Sequence, residues 1–229
     1  MNHDDINRKF SEYFAPRFEK HGSSPQGVDW GPVPEDHSLR MDRMLELTSR
    51  GATPGRRISI LDVGCGYGML LDEIKRRQLN VDYHGIDLSE AMIAAARERH
   101  PEAGWTAGDI LKADLAAFDY VICNGLLMLK LDIPLREMDA FAKSVVRRLF
   151  DLCRIGVAFN MMSTHVNFTV PHTFYRNPVE WLAWCMTELS PRVRLDHAYP
   201  LFDFTIHLYR EDAPGLIFGS HRSAGGQSV

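Results

Sequence analysis

The chain has 229 residues, 45% hydrophobic and 24% charged, with a formal net charge of -4. That length supports one domain with a substantial core, and the acidic balance argues against a nucleic-acid scaffold, which needs excess Lys and Arg to meet phosphates. No apolar run approaches the roughly 18 residues that cross a bilayer, residues 1–20 are too polar for a secretory signal, and the four cysteines form neither a CxxC pair nor a disulfide framework, so a reducing cytoplasm is the expected setting.

In chain order, Phe10, Phe14 and Phe18 recur every four residues and predict one face of a short helix within residues 1–20. That stripe docks the helix on the body or makes a dimer contact. Residues 21–36 are rich in Gly, Pro and Ser and read as a loop; a helix follows over about 38–50, closed by Gly51, Pro54 and Gly55. Ile58 to Val63 is a short apolar run and predicts a buried strand. A glycine loop over 64–68 leads into a helix over 69–78. A second strand over 81–86 ends at Asp87, and Ser89 is placed to cap a helix over 90–100, stopped by Pro101. Short strands are expected over 105–107, 120–123 and 156–160, with a helix over 138–149. A long loop over 161–177, a helix over 178–189 and two strands over about 192–197 and 202–209 complete the pattern. Alternating strands and helices imply a doubly wound α/β fold. The expected sheet has seven strands, mostly parallel and Rossmann-like, with an antiparallel C-terminal strand. Ligands bind such sheets at the C-terminal strand ends, where the strand order reverses. The expected division is a helical cap or lid over 1–55, a core over 56–210 and a polar tail over 211–229, with little order in its last ten residues.

The decisive stretch runs from Asp62 through Gly64, Cys65, Gly66 and Gly68. A chain passing from strand to helix there must turn sharply, and glycines also let a ligand approach the backbone. The helix start offers free N–H groups to an anion. A dinucleotide fingerprint wants G-x-G-x-x-G, but the third glycine comes one residue early. Asp62 would also repel a pyrophosphate while attracting an ammonium or a sulfonium. Asp87 is placed to accept both ribose hydroxyls of an adenosine. Asp109 is placed for the adenine amine, with Leu88 and Ile110 on the ring faces; as a bland alternative Asp109 caps a turn. Asn124 ends the fourth strand, either under the methyl position or as a polar strand end without ligand contact.

ILDVGCGYG, HGIDLSEAMIAAARER, GDI and FDYVICNGLL, in this order and spacing, resemble the class I S-adenosylmethionine-dependent methyltransferases. The resemblance covers about residues 56–162. It implies S-adenosylmethionine as cofactor and S-adenosylhomocysteine as product. It places Asp62, Gly64, Gly66 and Gly68 at the methionine end, with Cys65 in the same loop, Asp87 at the ribose, and Asp109 and Ile110 at the adenine. PQGVDWG, FNMMS and YPLFDFTIHLYR are similar to a bacterial branch acting on glycans and secondary metabolites, which implies O-methylation of a sugar or similar hydroxyl. The glycine-rich turn common before the fifth strand is absent: the chain reads FDLCRI over 150–155.

Methyl transfer to a hydroxyl calls for a general base, whereas a carboxylate or a neutral amine needs none. His165 is the first candidate base and His172 the second, both in the loop after the fifth strand; each also reads as a loop-bonding histidine. Trp30 is expected in a lid or as a core plug, and Arg40 as a clamp on the cofactor carboxylate or a substrate anion. No clustered ligands suggest a metal. The partner is a small-molecule acceptor, with no nucleic acid and no membrane span, and the chain is a monomer or homodimer. N- or carboxyl-methylation of a small metabolite is the nearer alternative. A nicotinamide-dependent oxidoreductase and a noncatalytic module of the same fold are the more distant ones. The asparagine-proline-proline-aromatic motif of many DNA methyltransferases is absent after Asn124.

Overall fold

A computed structural model describes residues 1–50, 55–211 and 213. The expected helix stop at Gly51 and Pro54, and the polar tail apart from residues 211 and 213, lie outside the described residues. Among the described residues, six α-helices and eight strands follow one another as α1 (His3–His21), α2 (Pro34–Leu45), β1 (Ile58–Val63), α3 (Met69–Arg76), β2 (Val81–Asp87), α4 (Glu90–Arg99), β3 (Gly104–Ala107), β4 (Phe118–Cys123), α5 (Leu135–Leu152), β5 (Cys153–Ser163), β6 (Tyr175–Arg176), α6 (Pro178–Glu188), β7 (Val193–Asp196) and β8 (Asp203–Tyr209).

The strands order as β3-β2-β1-β4-β5-β8-β7, with β6 beside β5. From β1 the chain builds outward through β2 and β3, then returns to place β4 on the other side of β1. That reversal opens a crevice at the C-terminal ends of β1 and β4, where loops leave in opposite directions. β8 is antiparallel to both β5 and β7, as the closing hairpin implied.

Side chains alternate across the sheet and make two cores. Leu61, Val63, Val121, Cys123, Val157 and Phe159 face α5 and α6. Ile60, Tyr120, Ile122 and Ala158 face α2, α3 and α4. The segment before β1 joins both cores: Ile6 and Phe10 of α1 enter the first, and Met41, Met44 and Leu45 of α2 the second. α1 starts on a capping box, in which the Asn2 side chain accepts from Asp5 N and the Asp5 side chain accepts from Asn2 N. α2 begins at Pro34, inside the stretch expected as loop, because proline suits a first helical turn.

Two features depart from the sequence reading. β5 continues to Ser163, beyond the end of β4 at Cys123. Its exposed edge at Met162 and Ser163 is taken by Tyr175 and Arg176, so the sheet has eight strands rather than seven. A two-residue strand carries no periodicity to read.

The second is the junction where the usual glycine turn is missing. α5 runs directly into β5, and Cys153 is already extended at φ -94° and ψ 144°. The Arg210 guanidinium donates to Phe150 O at 2.9 Å and to Cys153 O at 3.2 Å. It thus satisfies carbonyls that a glycine turn would otherwise cap. The guanidinium also lies over the Phe150 ring, its Cζ 4.5 Å from the centroid. Arg210→Met keeps an apolar chain of similar length and removes both the donors and the guanidinium over Phe150. It is expected to lower unfolding free energy by about 1–2 kcal/mol, read from urea midpoints at unchanged slope.

Candidate active site

The crevice between β1 and β4 is a cavity of about 420 Å³, within the usual range for small-molecule sites. Its floor is the glycine loop. Gly64 sits at φ +74°, and a Cβ there would approach the Leu126 side chain to 2.9 Å, so only glycine fits. The loop is held by Asp87 at the end of β2. One carboxylate oxygen accepts the Gly66 N–H and the other the Ser89 N–H, each at 2.9 Å. The enclosing protein raises the Asp87 pKa, and those two N–H groups oppose the rise. Asp87 and Leu88 line the cavity.

Asp109 and Ile110 line it too. Asp109 Oδ1 accepts from Leu111 N at 2.9 Å, closing a turn, while its Oδ2 is buried without a partner among the described residues. A buried carboxylate oxygen left unpaired is costly, and a ligand donor in the cavity would relieve it.

A second, smaller space of about 40 Å³ adjoins the first and shares Trp30, Gly64, Gly66 and Asn124 with it. Asp62 and Cys65 belong to this end. Asp62 is buried and accepts the Tyr83 hydroxyl at 2.6 Å. Burial pushes its pKa up to about 7, with Asp87 adding to the rise and the Tyr83 bond opposing it. A cation brought beside Asp62 would restore its charge; a pyrophosphate would not.

The roof comes from the N-terminal segment. Asn7, Phe10, Ser11 and Phe14 of α1 face the cavity together, since residues spaced by three and four share one helix face. Trp30 packs edge-on to His37 at 5.0 Å, and His37 bonds Gly31 O at 2.7 Å. Gly125, at φ +92°, lets the Trp30 ring approach: a Cβ there would lie 3.3 Å from its Nε1. Lys9 to Asp132 at 2.6 Å and a Lys112–Asp4 pair tie α1 to the body across its exposed flank.

Several expected site residues fall elsewhere. Gly68 lines neither space; it starts α3, and a Cβ on it would approach Trp105 to 2.9 Å. Arg40 is committed to Asp203, Nε at 3.2 Å and Nη2 at 3.1 Å, so it is not a free anion clamp. His165 and His172 are exposed and line neither space. β5 continues past the crevice before the chain turns, which carries His165 away, and the His172 carbonyl is used by the N–H groups of Lys130 and Leu131. The roof residues of α1 were legible only as a hydrophobic stripe. Asn160, which bonds both Asn124 and the Gly125 N–H, stood in the sequence only as part of FNMMS, with no site role, because its partners lie about 35 residues away.

Comparisons with known proteins agree with this geometry. A model of the methyltransferase domain matches residues 60–150. The chain is 32% identical over 151 residues to a putative methyltransferase, Rv1506c, of Mycobacterium tuberculosis, covering 65% of this chain and 90% of that one. The chain belongs to the class I S-adenosylmethionine-dependent methyltransferases. The methyltransferase is also 36% identical over 106 residues to a ubiquinone biosynthesis O-methyltransferase of Hahella chejuensis, spanning 43% of this chain and 42% of that relative. Its fold matches a solved DhpI–S-adenosylhomocysteine complex with a TM-score of 0.59 at 20% identity, over 93% of this chain and 99% of that one. Among the described residues no helix is long and apolar enough to cross a membrane.

The raised pKa of Asp62 has a consequence for the ligand-free enzyme. Its contribution to stability is complete below its ordinary value of 3.8 and is lost as pH rises through about 7. Asp62→Asn keeps an acceptor for Tyr83 and removes this loss. The variant is expected to melt several degrees higher than the parent at pH 8 and about level with it at pH 4, by calorimetry without ligand.

Proposed function

We propose that this methyltransferase acts on an oxygen of a small molecule, with a sugar or secondary-metabolite hydroxyl as the acceptor class. The unpartnered oxygen of Asp109, beside Asp87 in a cavity of about 420 Å³ at the strand reversal, carries the cofactor assignment. The residues present fit S-adenosylmethionine. Asp109 would accept the adenine amine, with Leu88 and Ile110 against the ring. Asp87 would accept the ribose hydroxyls while it continues to hold the Gly66 N–H. The N–H groups of the glycine loop would meet the carboxylate, and Asp62 the ammonium. When bound, the cofactor supplies an electrophilic methyl group on a cationic sulfur.

The chain's own task is to exclude water and align the acceptor. α1 and Trp30 roof the crevice, and the expected lid role of residues 1–55 rests on that placement. Asn124 stands where the two spaces meet, the natural approach for an acceptor. The relation to an O-methyltransferase supports an oxygen acceptor. Neither His165 nor His172 is assigned the base. Within that class a phenolic hydroxyl can arrive ionised and needs no base, whereas a sugar hydroxyl must give its proton to a base other than these two histidines.

Titration calorimetry with S-adenosylhomocysteine is expected to show binding to the parent, none to Asp87→Ala, and about tenfold weaker binding to Asp109→Asn, the cost of one charge-assisted hydrogen bond. NADH is expected not to bind. Binding of NADH in place of S-adenosylhomocysteine, or full affinity in Asp87→Ala, would refute the assignment.

A further inference from the structure

A chain of buried polar groups links the end of β4 to β5 and β8. Asn160 of β5 is fully buried. Its Oδ1 accepts the Gly125 N–H at 2.8 Å, and its Nδ2 donates to Asn124 Oδ1 at 2.9 Å and to Asp203 Oδ2 at 3.4 Å. Asp203 is fully buried as well and takes the fork of Arg40. The Tyr199 hydroxyl reaches Asp203 at 3.4 Å and pairs with the Thr205 hydroxyl at 2.9 Å.

This connectivity leaves one arrangement of the amides. A backbone N–H can only donate, so the Asn160 atom facing Gly125 is its oxygen. The other end of that amide is therefore NH₂, which can only donate. Both atoms it meets must be acceptors: the Asp203 carboxylate satisfies this, and Asn124 must present its carbonyl. Turning Asn124 over would set two NH₂ groups against each other inside the protein. What remains of Asn124 is its NH₂, on a residue that lines both spaces. Among the described residues that nitrogen has no hydrogen-bond partner.

We propose that Asn160 is a positioning residue that locks the Asn124 amide with its NH₂ toward the cavity, so that the site selects an acceptor through an oxygen lone pair and against a protonated amine. This rests on the methyltransferase reading and gives its oxygen acceptor a structural selector. A fixed NH₂ donor is complementary to a carboxylate, a phenolate or a hydroxyl oxygen, and opposes an ammonium, which has only donors to offer. The Arg40–Asp203 pair anchors the far end and holds the Asp203 carboxylate where it accepts from the Asn160 NH₂.

Nuclear magnetic resonance of side-chain amides tests this without turnover. In the free protein the Asn160 NH₂ protons are expected to exchange with solvent at least about a hundredfold more slowly than those of Asn124. With the protein saturated in S-adenosylhomocysteine, acetate is expected to shift the Asn124 signals saturably and methylammonium is not. Asn160→Ala should weaken the acetate response about tenfold, while S-adenosylhomocysteine affinity stays within about threefold. A merely structural role for Asn160 would move both together. Fast exchange at Asn160, slow exchange at Asn124, no response to acetate, or a stronger response to methylammonium overturns the proposal. If Asn160→Ala does not fold, the measurements on the parent protein decide. Failure of S-adenosylhomocysteine to bind the parent sinks the methyltransferase reading instead, and amide exchange in the free protein still judges the lock.

Discussion

The Asp87 carboxylate, with one oxygen on the Gly66 N–H and the other on the Ser89 N–H, is the interaction on which the site depends. It joins three things at once: the end of β2, the glycine loop after β1 and the start of α4. Without that tie the loop would have several ways to leave β1, because glycines restrain the backbone little. With it, the loop stays open beneath the cavity and its N–H groups point to one place. The same carboxylate is the expected ribose acceptor. Scaffold and recognition therefore share a residue, and losing it affects both.

The roof is built on a different principle. α1 buries Ile6 and Phe10 in the core beneath the sheet, yet Phe10 also faces the cavity. Packing and ligand enclosure thus use the same helix face. The exposed Lys9–Asp132 and Lys112–Asp4 pairs add little by themselves, since exposed ion pairs are weak. The apolar face does most of the holding. A cavity with a carboxylate-bearing floor and a largely apolar roof suits a ligand with one polar edge and flat apolar faces.

The far end of the site is polar and cross-linked by hydrogen bonds. Asn124, Asn160, Asp203 and Arg40 form a connected set in which almost every buried group has a partner. Such a network is worth building only when it is complete, because a half-satisfied one costs more than an apolar core. It accounts for Arg40 as a structural cation rather than a ligand clamp. It also explains how the antiparallel β8, remote in sequence, influences a residue at the mouth of β4.

Sequence alone determined the alternation of strands and helices, the glycine loop and the positions of Asp62, Asp87 and Asp109. These signals are local: a hydrophobic period, a cap, or an acid directly after a strand. They survive in a single chain because each acts within a few residues of itself. The tertiary structure decided everything that depends on partners far apart. It put the Phe10 and Phe14 stripe on the cavity wall, supplied Arg210 in place of a missing glycine turn, and added β6 to an edge left open by a longer β5. It moved His165 and His172 out of the site and tied Arg40 to Asp203. The physical reason is common to all of these. Hydrogen-bond satisfaction and close packing are properties of the folded neighbourhood, and residues such as Asn160 and Gly125 become neighbours only when the sheet is assembled.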